Sequence, residues 1–264
     1  LEEGIVSTDT ANDFYCSGSQ TIYDTEIKCW RYYNPHGHQT LREALENSCN
    51  PAFMQLGARI GTHTLYEYYR AFGLFEKTGA SLAGESNSIF YPESDVGPAD
   101  LATMSFGQRF RITPIQLVTA VSSIANDGVL MQPRIVKQIE NTDTGAITTI
   151  DPVSVRQVLS SNTCDEILDM LKSVVSDGTG YLGAVKGYTI AGKTGTSEPD
   201  KTQLDPMYVA SFIGIAPADN PELVILVALY GPEGANGHQG GSIAAPVVSQ
   251  ILSEVLPYLG IPTD

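Results

Sequence analysis

Lys193-Thr194-Gly195-Thr196 places an ammonium group, two hydroxyls and a residue without a side chain in one short run. A fixed positive charge lowers the cost of deprotonating a neighbour and attracts a carboxylate. Thr194 and Thr196 offer hydroxyl donors to that carboxylate. Gly195 lets a bound group approach the backbone closely. Upstream, Ser48-Cys49-Asn50 sets a short hydroxyl and a short amide two positions apart. A third group is Cys16, Cys29, His36 and Cys49, three thiols and an imidazole within the first fifty residues. Three cysteines and a histidine make a complete tetrahedral zinc set, although the spacing is wider than a zinc finger's. Cys49 lies inside the Ser48–Asn50 triplet, so a metal there would be tied to it. A Cys16–Cys29 disulfide and separate free thiols are the alternatives, and His38 is the other candidate imidazole. Cys164 reads as a buried core thiol. His63 and His238 have no evident partners, and His238 reads as a solvent-exposed loop histidine.

Caps and periods indicate the elements that must position these groups. Residues 1–39 show no helical period and read as a long loop that needs something to pin it. Thr40-Leu41-Arg42-Glu43 is a capping box that starts a helix carrying Leu41, Ala44 and Leu45 inward. That helix breaks near Ser48, and Asn50-Pro51 reads as a cap followed by a first-turn proline. The second helix then runs to about Arg59 and ends at Gly61. Ser48-Cys49-Asn50 therefore sits in a helix–helix elbow, where a short polar side chain can face a cleft. Thr64 to Glu67 caps a further helix that stops near Gly73, and residues 79–97 read as loop. Thr113-Pro114-Ile115-Gln116 starts a helix that stops at Asn126-Asp127-Gly128. Segments 135–140 and 146–150 flank a hairpin turn. Residues 162–176 form an amphipathic helix with Ile167, Leu168, Leu171, Val174 and Val175 on one face. Strands are expected over 188–191, with Lys193 on or just after the continuation, and over 208–215 and 223–230. The turn at 217–221 makes the last two antiparallel neighbours. A helix over 244–259 closes an α+β pattern.

The 264 residues carry 30 acidic and 15 basic side chains, a formal charge of −15. That excludes nucleic acid and an anionic membrane surface as partners, yet would not repel a neutral or cationic peptide. The longest apolar run is 223–230, which suits a buried strand and not a membrane span. There is no secretory signal in these residues.

Together, Ser48-Cys49-Asn50 and Lys193-Thr194-Gly195 resemble two of the three motifs of the serine penicillin-binding proteins, Ser-x-Asn and Lys-Thr-Gly. Ser105-Phe106-Gly107-Gln108, Thr113 to Leu117, Asp177-Gly178-Thr179-Gly180, and Gly240-Gly241 before Ala244-Ala245-Pro246 extend the likeness over nearly the whole chain. It resembles a class B transpeptidase domain of the elongation or sporulation type, here one domain over 1–264. The resemblance implies an antiparallel sheet flanked by helices with a helical subdomain, the family's five-stranded sheet being incomplete at its N-terminal side. It implies acyl transfer from D-alanyl-D-alanine stem peptides to an amine, inhibition by β-lactams, and work at the extracytoplasmic face of a bacterial membrane. Attachment would be through an N-terminal anchor, with cell-elongation or division proteins as partners. It implies that Ser48 relays protons to the leaving amine and that Asn50 holds the substrate amide and orients the lysine. It implies that Lys193, Thr194 and Thr196 bind the carboxylate, and that the Thr196 N–H forms half of an oxyanion hole. His36-Gly37 and Cys49 also resemble the zinc ligands of some elongation-type members. The third motif, Ser-x-x-Lys, does not occur in these residues. The expectation is a chain that forms no acyl-enzyme by itself, with a gap in its core or another polypeptide filling it. A carboxypeptidase or β-lactamase of the same superfamily, or a non-catalytic sensor of peptidoglycan or β-lactam, are the rival readings.

Overall fold

The computed structural model describes residues 1–81, 83–199, 207–233 and 237–264. Four short strands open the chain: β1 (Phe14–Cys16), β2 (Ser19–Ile22), β3 (Thr25–Lys28) and β4 (Gly37–Gln39). They form two antiparallel pairs, β1 with β4 and β2 with β3. This corrects the expectation of an unbroken loop. Strands of three or four residues are too short to show a period of two, so the pattern was invisible. Phe14, Cys16 and Cys29 from this region are buried with Leu41, Ala44, Cys49, Ala52 and Met170.

Helix α1 (Leu41–Glu46) starts at the full capping box of Thr40 and Glu43. Helix α2 (Asn50–Ala71) has Cys49, not Asn50, as its cap residue. Gly61, with a non-helical φ of 79° and ψ of 164°, divides it at the expected end into two helical stretches that meet at a kink. The chain resumes helical geometry at once, so Thr64 is interior and does not cap a new helix. Helix α3 (Pro98–Met104) was not foreseen; at seven residues it is too short to establish a period. Helix α4 (Pro114–Ile124) follows the Thr113–Gln116 capping box. Then β5 (Val129–Met131) pairs with β8 (Ser154–Gln157), and β6 (Gln138–Glu140) with β7 (Ile147–Thr149) makes the expected hairpin.

Helix α5 (Ser161–Ser176) buries Leu168, Leu171, Val174 and Val175 along its inner face. The central sheet consists of β9 (Ala191–Ser197), β10 (Val209–Ala216) and β11 (Leu223–Tyr230), antiparallel in the order β11-β10-β9. The first of these strands begins at Ala191, later than expected; Tyr188 makes only an isolated bridge to Val185. Lys193, Thr194 and Gly195 are therefore interior to a strand. Short α6 (Gly240–Ile243) leads into α7 (Ala245–Tyr258). Side chains alternate across β10 as its period of two requires. Phe212 and Ala216 pack with Val248, Leu252 and Leu256 of α7. Ile215 packs with Leu168, Leu171 and Val174 of α5. The sheet is thus enclosed between α7 on one face and α5 with α4 on the other, an α+β architecture. Three strands make this sheet among the described residues, fewer than the family's five. None of the described helices is long and apolar enough to cross a membrane.

Phe212 is fully buried, and Gly183 and Gly192 both border its ring. A Cβ on Gly192 would lie 2.5 Å from Phe212 Cζ and 2.9 Å from the Ile213 carbonyl oxygen. Gly192→Ala is therefore expected to destabilise the fold by about 1–3 kcal/mol, the usual penalty for overpacking a core. Chemical denaturation of the two proteins checks this.

Candidate active site

The elbow between α1 and α2 is shaped by the backbone. Asn47 closes α1, and Ser48 then turns left-handed with a φ of 49°. The Ser48 N–H donates to the Leu45 carbonyl at 3.1 Å and the Cys49 N–H to the Ala44 carbonyl at 3.0 Å. These are the bonds of a helix terminus that ends in a left-handed residue, a place where glycine is usual. A non-glycine residue there carries about 1–2 kcal/mol of strain. The turn delivers the Ser48 hydroxyl to β9, where Lys193 Nζ donates to Ser48 Oγ at 2.8 Å. Lys193 also donates to the Thr194 carbonyl at 3.0 Å and, weakly, to Thr194 Oγ1 at 3.4 Å. Burial in the cleft disfavours the ammonium form and pushes Lys193 down to about 8.

A third segment, after α5, joins elbow to strand. Thr179 donates to the Glu46 carbonyl with both its N–H, at 3.0 Å, and its hydroxyl, at 3.1 Å. Its hydroxyl also lies 3.2 Å from that of Thr194. A Cβ on Gly178 would meet the Glu46 carbonyl oxygen at 2.7 Å, which accounts for a small residue beside Thr179. Thr179 is the site residue that sequence reasoning missed. The Asp177–Gly180 stretch stood out, but nothing in it showed that its hydroxyl would meet Thr194.

Thr196, two residues along β9, accepts a hydrogen bond at 3.1 Å from the Gly240 N–H. Gly195 lies opposite Ser211, and a Cβ on it would sit 2.6 Å from Ser211 Oγ. Its missing side chain is thus demanded by the neighbouring strand as well as by any bound group. The Asn50 amide donates at 3.0 Å to the Lys28 carbonyl and ties α2 to the end of β3.

Cys16, Cys29, His36 and Cys49 converge, and their donor atoms all lie within 4.8 Å of one another. The three thiols are buried and free, and His36 Nδ1 is 3.7 Å from Cys29 Sγ. The Nε2 atom of His36 is buried without a partner. The hydrogen bond between Cys49 and Cys29 pulls the Cys29 thiol down and pushes the Cys49 thiol up. Burial lowers His36, which favours the neutral imidazole. Three thiols and an imidazole with donor atoms this close together are the donor set of a tetrahedral zinc site, so the residues present fit that ion. His38 is outside this group and its ring lies 4.8 Å from that of Tyr15. Cys164 is buried on α5, as its pattern indicated. Two histidines do have partners, contrary to expectation. His63 pairs with Glu93 at 2.8 Å and Glu67 at 3.4 Å, and the ring of His238 stacks on Tyr208. Glu67 stands at i+4 on the same helix, a pairing the spacing does offer, whereas Glu93 and Tyr208 come from other segments and only the fold brings them near. The Gly-rich stretch 231–241 includes positions 234–236, and the loop over 79–97 includes 82; these lie outside the described residues.

Comparison with known proteins supplies the wider frame. The family model "Penicillin binding protein transpeptidase domain" matches residues 1–253. Stage V sporulation protein D of Bacillus subtilis is 41% identical over 253 residues, covering 95% of this chain and 39% of that protein. The probable peptidoglycan D,D-transpeptidase PenA of Neisseria gonorrhoeae is 31% identical over 224 residues, covering 84% and 36%. Among solved structures, penicillin-binding protein 3 of Mycobacterium tuberculosis complexed with ampicillin superposes with a TM-score of 0.88 at 30% identity. That match covers 100% of this chain and 60% of the other. The chain thus spans 39% and 36% of the length of these two curated relatives.

The left-handed Ser48 gives a test of the elbow. Ser48→Gly and Ser48→Ala both remove the hydroxyl, but only glycine relieves the strain. Ser48→Gly is expected to be more stable than Ser48→Ala by about 1 kcal/mol, read from paired denaturation curves.

Proposed function

The chain belongs to the transpeptidase family of penicillin-binding proteins, and from that footing we propose that its cleft serves peptidoglycan D,D-transpeptidation. The substrate is a stem peptide ending in D-alanyl-D-alanine, whose carboxylate is received by Lys193 and by the hydroxyls of Thr194 and Thr196. The observation that carries this reading is the 2.8 Å hydrogen bond between Lys193 and Ser48. Because the lysine fills an acceptor position of Ser48, the serine's own proton is free to be donated. A departing amine must gain a proton, and Ser48 is placed to give it. Lys193, held near 8, then restores the proton to Ser48. The attacking hydroxyl and its base belong to the Ser-x-x-Lys motif, which these 264 residues do not contain. β-Lactams occupy the same cleft as mimics of the dipeptide, and the domain works at the extracytoplasmic face of the membrane.

We also propose a structural zinc ion held by Cys16, Cys29, His36 and Cys49. Four protein ligands leave no open position, so the ion supplies order and not catalysis. It would fasten β1, the end of β3 and the segment before β4 to Cys49, the cap residue of α2, beside Ser48.

Two measurements test these readings. Titration by NMR of N-acyl-D-alanyl-D-alanine into the chain should show binding that Lys193→Ala weakens at least about tenfold, the usual scale for removing a charge-assisted contact. No binding, or binding indifferent to Lys193→Ala, would contradict the assignment. Native mass spectrometry should show one additional zinc ion, lost on chelation. A mass lighter by two hydrogens would mean a disulfide and would remove the metal proposal.

A further inference from the structure

The stack of Tyr208 on His238 has no part in the chemistry above, yet Tyr208 stands two residues before Ala210, which pairs with Thr196, and His238 two before Gly240, which donates to it. The centroids of Tyr208 and His238 lie 3.8 Å apart with the planes inclined by only 23°. Tyr208 directly precedes β10, whose first residue, Val209, pairs with Ser197 on one side and Tyr230 on the other. Its carbonyl is held by the Gly231 N–H at 2.9 Å. One partner of the stack is therefore fixed to the sheet. The other, His238, stands two residues before Gly240. Gly240 is pressed so closely on the sheet that a Cβ would lie 2.1 Å from the Ser211 carbonyl oxygen and 2.4 Å from that of Gly195. From that position its N–H reaches Thr196 Oγ1.

A threonine hydroxyl has one hydrogen to give and two lone pairs to receive. Where nothing binds its oxygen, the hydrogen rotates toward whichever acceptor is nearest, including its own backbone. An N–H held against the oxygen occupies a lone pair and leaves the hydrogen to point elsewhere. Donation to that oxygen also polarises the O–H bond and strengthens the next bond it makes. We propose that the Tyr208–His238 stack is a positioning device for carboxylate recognition. It clasps the segment before α6 to β10, keeps the Gly240 N–H on Thr196 Oγ1, and so commits the Thr196 hydroxyl to donate into the cleft. Tyr208 and His238 touch no substrate; they act through Gly240 and Thr196. The inference rests on the cleft's receiving a terminal carboxylate, as proposed above.

The test compares Tyr208→Ala and His238→Ala with Tyr208→Phe and His238→Phe, which keep an aromatic face. The probes are N-acyl-D-alanyl-D-alanine and its C-terminal amide, titrated by NMR. Each alanine variant should weaken binding of the free acid about three- to tenfold, on the scale of losing one aromatic pair. Binding of the amide, which lacks the carboxylate, should hardly change, and the phenylalanine variants should behave as the parent. Amide hydrogen exchange at Gly240 should quicken in the alanine variants alone. His238→Ala leaves β10 untouched, so it decides the matter should Tyr208→Ala fail to fold. Equal losses for acid and amide, phenylalanine variants as weak as alanine, or unchanged Gly240 exchange would each overturn the inference. If the parent chain does not prefer acid over amide, the carboxylate reading fails and the inference falls with it. If the preference survives in the alanine variants, the inference alone fails.

Discussion

Lys193 and Ser48 are 145 positions apart in sequence and one hydrogen bond apart in space. Making that bond requires two things at once. The strand carrying the lysine must be locked in register, and the helix carrying the serine must end in a turn that points the hydroxyl at the strand. Both requirements are met by backbone. Register comes from seven paired positions between β9 and β10, with Lys193 opposite Ile213. The turn comes from a left-handed Ser48 that a helix end would ordinarily give to glycine. The desolvation that lowers Lys193 follows from the same enclosure, because a lysine near 8 needs a cleft that water reaches poorly.

Much of the surrounding architecture maintains this closeness. Thr179 bridges the last residue of α1 to Thr194, and glycines beside it allow the backbones to approach. On the opposite side Gly240 and Gly241 let α6 lie against β9 and Thr179 with no room for a methyl group. The cysteine–histidine group is continuous with the elbow through Cys49, and the Trp30 indole donates at 2.8 Å to the Asn47 carbonyl one residue before Ser48. The loop-rich beginning of the chain is thus joined to the α1–α2 elbow at more than one point. Stability and the proposed chemistry meet in the same atoms, since the strained turn at Ser48 is the one that brings its hydroxyl to Lys193.

Elements with strong local signals were readable from sequence. The capping boxes at Thr40 and Thr113, the amphipathic face of α5 and the apolar run of β11 appear where their residues indicated. The metal-type cluster could be named because cysteines are few, although only the fold shows that Cys16 and Cys49 meet. What sequence hid was set by tertiary contact. Strands β1 to β4 are too short for periodicity. Thr179 joins the site through a partner on another element. His238 looked solitary because its partner lies 30 residues earlier in the chain (208 to 238) and meets it only through the folded sheet. The direction of Asn50, toward Lys28, follows from where β3 ends, which no local pattern encodes.

The account stands on a lysine whose ammonium is held in a poorly hydrated cleft against Ser48. Direct titration of Lys193 Nζ by heteronuclear NMR tests it most immediately. The midpoint is predicted near 8, against 10.5 for an ordinary lysine. Because the folded value is the lower one, the unfolded chain holds more protons between those limits. Stability relative to Lys193→Met should therefore rise as pH increases through that window and fall back as pH drops through 8. A midpoint at the ordinary lysine value, with no such window, would mean a solvated side chain and would contradict the coupling of strand to elbow on which the proposed chemistry depends.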